Sequence, residues 1–250
     1  TAERHLALSE PAEAFRVHSR TFSEMAIRGI SSHGGSAKWF LPLSVRRIDD
    51  PRYDPGDALR FLESAIVHPE QIVLVLAEWH ALEAESFREA LRQYRAQGFR
   101  IALSGIGTDR ASLGRLVELK PDYARIGKGW MPAGPHDTVG ASLLQAIVAL
   151  ARKEKIVLLA DGLDREDQLG PLMASGVGFA QGAWIGEAAV SPSDVDPSVA
   201  DRIRKEVRRR FRAGSGALDE LLEPARAERR HAVTAGGRWA TRPPPSITRA

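Results

Sequence analysis

Residues Gly98 to Lys128 read GFRIALSGIGTDRASLGRLVELKPDYARIGK. Phe99 to Leu103 is a short apolar strand, and Ser104 to Thr108 reads as a glycine-containing loop at its C-terminal end. Ala111 to Leu119 repeats apolar residues at helical spacing through Leu113, Leu116 and Val117, and Tyr123 to Ile126 is the next strand. A strand, loop, helix, strand unit requires a parallel sheet with helical crossovers. In such sheets and barrels chemistry gathers at the C-terminal ends of the strands, which places Ser104, Gly105 and Arg125 where a site would form.

The same rhythm extends in both directions. Ile72 to Ala77 is a continuous apolar run, the mark of a strand covered on both faces. Trp39 to Val45 is a further strand, made imperfect by Pro42. Ile156 to Ala160 and Gly178 to Ile185 complete a set of six parallel strands. The predicted helices are Pro11–Ile30, Asp57–Val67, Leu82–Gln97, Val139–Lys153 with Leu143, Ile147 and Leu150 on its apolar stripe, and Arg165–Ser175, interrupted at Gly170-Pro171. Strands recurring with a helix between them give a (βα) barrel rather than a sandwich.

Composition sets the outer bounds. The chain has 250 residues, enough for one barrel-sized core, with ordinary apolar (43%) and charged (27%) content. It has no cysteine, which removes disulfides and thiolate metal sites and fits a cytoplasmic protein. No apolar run approaches the roughly 18 residues of a membrane span. The chain starts at Thr1 without a signal-peptide pattern and is expected to be part of something longer. Its net charge of +3 is uneven. Residues 201–250 hold 13 Lys/Arg and 6 Asp/Glu, a net of +7, so the preceding residues carry −4. A basic tail of this kind reads as solvated, or as a contact for nucleic acid, acidic lipid or an acidic partner. The expected organisation is an N-terminal helix and linker (1–38), a barrel (39–190), a C-terminal helix (191–213) and a basic, flexible tail (214–250).

The quoted stretch resembles the EAL domain, the α/β barrel family of cyclic di-GMP phosphodiesterases. Ser112-Leu113 and Pro121-Asp122-Tyr123 match that family's pattern, while Ser104-Gly105 stands where it has two aspartates and Arg125-Ile126-Gly127 where it has Lys-Ile-Asp. The resemblance runs from about Trp39 to Ala189 and implies an EAL-like (βα) TIM-type barrel that lacks the family's first strands. Glu24-Met25-Ala26-Ile27-Arg28 has the spacing of the family's Glu-Ala-Leu-Leu-Arg strand but lies within a predicted helix, and it reads as a chance match.

The family holds two divalent metals with a ring of carboxylates and one asparagine. Carried over by resemblance, the asparagine falls on Pro42. The first glutamate of Glu-x-Thr-Glu is Val75, with the second kept as Glu78. The aspartate pair is Ser104-Gly105, and the catalytic lysine is Arg125, which stays charged but exchanges a proton poorly. The Ala-Glu-Gly-Val-Glu strand becomes Ala160-Asp161-Gly162-Leu163-Asp164, and the Gln-Gly pair is kept as Gln181-Gly182. Plain structural roles stand beside these. Glu78 can cap or pair at a strand end, Asp161 can serve a turn before Gly162, Arg125 can pair with Glu78 or Asp161, and Gln181 can satisfy buried backbone groups. Trp39, Trp79, Trp130 and Trp184 at strand ends read as core or rim.

The scaffold residues match and the chemical ones do not. The resemblance therefore implies a catalytically inactive, degenerate EAL-like domain with no resident metal or cofactor, acting as a regulatory module that contacts another protein or a second copy in bacterial signalling. The alternatives are a cyclic di-GMP receptor that binds without hydrolysis, a surviving phosphodiesterase, and a nucleic-acid binder working through the basic tail.

Overall fold

The computed structural model describes residues 21, 24–30, 37–43, 55–76, 85–107, 110–130, 138–187, 189 and 194–212. Glu78, Trp79, residues 131–137 and those beyond residue 212 lie outside them. The strands are β1 (Trp39–Leu43), β2 (Ile72–Leu76), β3 (Arg100–Ile106), β4 (Tyr123–Ile126), β5 (Val157–Asp161) and β6 (Phe179–Gln181). The helices are α1 (residues 24–30), α2 (Pro55–Ser64), α3 (Glu85–Ala96), α4 (Arg110–Leu119), α5 (Thr138–Lys153), α6 (Leu169–Ser175) and α7 (Pro197–Arg212).

All neighbouring strands pair in parallel, in the order β1-β2-β3-β4-β5-β6. With every crossover returning on the same hand, helices collect on one side and the sheet curls. The period of two in β2 shows the two sides. Ile72, Leu74 and Leu76 face the main core with Leu62, Phe87, Leu91 and Tyr94 of the helical layer, while Val73 and Val75 join Ala102, Tyr123, Phe40 and Val157 in a second cluster on the concave side. Phe40 on β1 and Tyr123 on β4 meet edge to face with ring centroids 5.2 Å apart. Strands this far apart in a flat sheet would be separated by about 14 Å, so the contact requires strong curvature. The result is a curled half-barrel, an incomplete TIM-type barrel.

The open side lies between the edge strands β1 and β6. Ile27 and Ile30 of α1 enter the main core there, beside a cleft of about 520 Å³ lined by Met25, Trp39, Leu41, Gln181, Ile185 and Val195 among others. Glu24 to Arg28 are helical, as the spacing of apolar residues over Pro11–Ile30 predicts. Pro42 brings no N–H to the ladder, which is tolerated because β1 is an outermost strand.

Several expectations are corrected. Ser104 and Gly105 are not loop: β3 runs to Ile106, because a register shift between Leu103 and Ile106, with Gly105 at φ 74°, lets Ile106 pair with Ile126. The last strand stops at Gln181 rather than Ile185, since Trp184 N–H turns back to donate to Leu163 O and Ile185 N–H to Gly182 O. Gly170-Pro171 does not interrupt a helix but sits in the first turn of α6, where proline is accommodated. The buried stripe of α5 is Leu144, Ile147, Val148 and Ala151, with Leu143 exposed, and on α4 Leu116 is buried while Val117 faces solvent.

Candidate functional site

The curl and the alternation of side chains together make layers inside the half-barrel. Phe40, Val73, Val75, Ala102, Tyr123 and Val157 form one apolar cluster on the concave side. By register Pro42, Val75, Ala102, Tyr123 and Val157 stand side by side across the sheet, and Ser104, Arg125, Asp161 and Gln181 lie beyond them toward the C-terminal mouth. The register sets Pro42 beside Val75 and Asp161 beside Gln181. The site residues read from the sequence, Glu78 and Asp164 aside, therefore lie along the C-terminal rim of the sheet, with Pro42 and Val75 one step deeper than the rest. Asp164 lies just beyond β5, and Glu78 falls outside the described residues.

One half of this rim is apolar. Val75 is buried within the concave cluster, and Pro42 beside it has no side-chain donor atom. The other half is a pair of matched ion pairs. Arg125 Nη2 donates to Asp161 Oδ2 at 3.0 Å, and Gln181 Nε2 donates to Asp161 Oδ1 at 3.0 Å. Lys128 Nζ donates to Asp164 Oδ2 at 2.8 Å, and the Ala183 N–H to Asp164 Oδ1 at 3.0 Å. The spacing explains the match. Arg125 and Lys128 are three residues apart at the end of β4, as Asp161 and Asp164 are at the end of β5. All four carboxylate oxygens thus accept from the protein's own donors.

The Lys128 ammonium holds the Asp164 carboxyl below the usual aspartate value, helped by the Ala183 N–H, and Asp164 in turn raises Lys128. The pair's contribution is present above the ordinary aspartate pKa and is lost as pH falls through the lowered one. At the alkaline end it is lost as pH rises through the raised lysine value. Both partners are solvent-exposed, so solvent screens their attraction.

Arg125 and Asp161 are better shielded, with side chains 14% and 31% exposed. Removing one member leaves the other charge partly desolvated and uncompensated. Arg125→Met and Asp161→Asn are each expected to cost about 2 kcal/mol in urea denaturation, with the double variant costing less than the sum. Strict additivity would show that the two side chains act independently.

Glycines let the mouth close around these pairs. A Cβ at Gly107 (φ 92°) would lie 2.5 Å from Trp130 Nε1, and one at Gly162 (φ 104°) would lie 2.6 Å from Lys128 Cγ. The short 3₁₀ turn Lys128–Trp130 is thereby seated over the ends of β3 and β5. Gln168, buried, accepts from the Asp164 and Arg165 N–H groups at 3.0 Å each and fixes the chain after β5. Lys128 and Gln168 are rim residues that the sequence reading misses as site members, whereas it already reads Trp130 as core or rim. The repeated three-residue spacing of the cations and acids is the signal that could have found the first of them. Gln181 binds the Asp161 carboxylate through its side chain, and only its backbone carbonyl serves the buried Gly162 and Leu163 N–H groups.

The EAL domain family profile matches residues 9–188. The chain belongs to the EAL domain family. A probable cyclic di-GMP phosphodiesterase, PdeN of Escherichia coli K12, is 30% identical over 130 residues, covering 52% of this chain and 25% of that protein. MucR of Pseudomonas aeruginosa PAO1, a bifunctional diguanylate cyclase and cyclic di-GMP phosphodiesterase, is 28% identical over 155 residues, 61% of this chain and 23% of that one. The matched segment therefore spans about a quarter of these relatives' length. Two solved structures share the fold at TM-score 0.68. BlrP1 of Klebsiella pneumoniae with calcium and cyclic di-GMP is 16% identical and covers 76% of this chain and 49% of its own. YkuI of Bacillus subtilis, with cyclic di-GMP and calcium, is 19% identical and covers 96% and 59%.

The described rim residues of this EAL domain do not fit a pair of divalent metals. Hard cations take several anionic or carbonyl oxygens. Pro42, Val75 and Gly105 offer no side-chain oxygen, Ser104 offers a neutral one, and Asp161 and Asp164 are engaged by internal cations. Among the described residues no group of three or more His, Asp or Glu side chains is placed to share a metal.

Proposed function

We propose that this EAL domain is a catalytically inactive regulatory module in cyclic di-GMP signalling, acting through contact with another protein or a second copy of itself in the cytoplasm. The observation that carries the reading is the rim. Arg125 and Lys128 stand against Asp161 and Asp164, so that fixed side-chain cations neutralise the acids that would otherwise attract metal. The half-barrel has six paired strands, a packed concave core and a glycine-dependent mouth, which give it a stable scaffold for recognition.

Binding without hydrolysis is the second reading, favoured by the cyclic di-GMP in the BlrP1 and YkuI structures. Against it, the first family strands, which by resemblance help to grip the nucleotide, have no counterpart among the described residues. Calorimetric titration of cyclic di-GMP into the purified protein, with and without Mg²⁺, is expected to give weak binding or none. A dissociation constant in the low micromolar range or tighter would replace the protein-contact reading with the receptor one.

A further inference from the structure

The positive charge of the chain is concentrated in α7. Residues 201–212 hold seven Lys/Arg against two acids, while the whole chain is only +3, so the rest of the protein is net negative. The helix is fixed to the body on one side. Ile203 and Val207 pack on the main core, Arg210 Nη2 donates to Gly170 O at 2.6 Å, and Arg202 pairs with Glu166 at 2.9 Å. Arg204, Lys205, Arg208 and Arg209 project from the other side and are all exposed. Lys205 pairs with Asp201 and Arg209 with Glu206, both within about one turn. Arg204 and Arg208 make no ion pair among the described residues and feel Asp201 only through its field.

We infer that this face binds the phosphates of duplex nucleic acid without reading base sequence. Two features of the face favour that partner. The four cations fall within six residues, about 9 Å of helix axis or one charge per about 2.3 Å, a density of the same order as the duplex value of one charge per about 1.7 Å. They also lie in two i, i+4 rows, Arg204–Arg208 and Lys205–Arg209, on a helix held rigid by its inner face. Three of the four are arginines, whose planar fork suits phosphate oxygens. A bilayer is a poorer partner. An interfacial helix buries an apolar face in the headgroup region, and here the apolar residues Ile203 and Val207 already face the protein.

The test is fluorescence anisotropy of a labelled mixed-sequence DNA duplex titrated with the full chain over a range of salt. Arg204→Gln, Lys205→Gln, Arg208→Gln and Arg209→Gln are combined in one variant, with circular dichroism and urea denaturation confirming that it stays folded. The unsubstituted protein is expected to bind with a steep inverse salt dependence. The variant is expected to lose about 3 to 4 units of slope in log K against log salt, and about 100-fold in affinity at low salt. Arg226→Gln, Arg229→Gln and Arg230→Gln in a second variant are expected to change the slope by about one unit or less. The inference is overturned if the unsubstituted protein leaves the duplex free, if it binds phosphatidylserine vesicles in place of the duplex, or if the second variant loses as much affinity as the first.

Discussion

Purified protein given cyclic di-GMP with Mg²⁺ or Mn²⁺ is expected to form no more hydrolysis product than a control without protein. Metal-assisted phosphodiester cleavage needs cations to polarise the phosphate and to generate hydroxide at neutral pH. Two clustered cations repel each other unless several carboxylates lie between them. The positions that the family resemblance assigns to ligands read Pro42, Val75, Ser104, Gly105 and Asp161, and Asp161 is the single anion in that row. Its oxygens are taken by Arg125 and Gln181 at 3.0 Å each. Installing Ser104→Asp and Gly105→Asp together is expected to leave turnover at the control level. Pro42 and Val75 still withhold two ligands, Arg125 remains as a fixed positive charge, and an aspartate at residue 105 must adopt φ 74° within a bulge. Product formation that a chelator abolishes, and that Asp161→Ala also abolishes, would show that the rim holds metal after all and would return the domain to the phosphodiesterases.

The sheet is legible in the sequence because its signals are local. Ile72 to Leu76 is apolar at every position, and the structure buries all five residues. The strand starts at Trp39, Ile72, Arg100 and Tyr123 follow from equally plain transitions in the sequence. The rim is less legible because it depends on register. Nothing local in Leu-Ser-Gly-Ile tells that the strand continues past Ser104; the bulge at Gly105 exists because Ile106 has Ile126 to pair with, a partner on another strand. Gln181 is a similar case. Its place beside Asp161 is a property of the β5–β6 register, so a reading confined to its own strand assigns it to backbone groups. That Arg125 pairs with an acid at a neighbouring strand end is legible, but the choice of Asp161 over Glu78 is not, because it depends on the order of the strands in the sheet. The exposed sides of Leu143 and Val117 are not, because two neighbouring apolar residues can satisfy a helical period equally well, and only the packed partner helix or strand chooses between them.

Gly182→Ala is expected to lower stability by about 3 kcal/mol or more, and the thermal midpoint by roughly 10 °C for a domain of this size. Gly182 follows β6, where the chain folds back across the end of β5. A Cβ there would overlap the backbone N, C and O of Leu163. That backbone is held on both sides: Leu163 N–H donates to Gln181 O at 3.0 Å and Leu163 O accepts from Trp184 N–H at 3.2 Å. A flexible side chain could swing away from an added methyl, but a doubly hydrogen-bonded backbone segment moves only by breaking those bonds. The same movement would carry Asp164 away from Lys128 and the Ala183 N–H, so the ion-pair rim should loosen with it. Gly114→Ala supplies the opposite sign from the same chemical change. Gly114 lies in α4, and a methyl added to it would meet nothing within 4 Å. Alanine there removes backbone freedom from the unfolded chain and should stabilise by about 0.5–1 kcal/mol. Urea denaturation of the two variants reads both effects. A Gly182→Ala midpoint equal to that of the unsubstituted protein would mean that the β5–β6 junction yields, and the close approach at Leu163 would then have no structural weight.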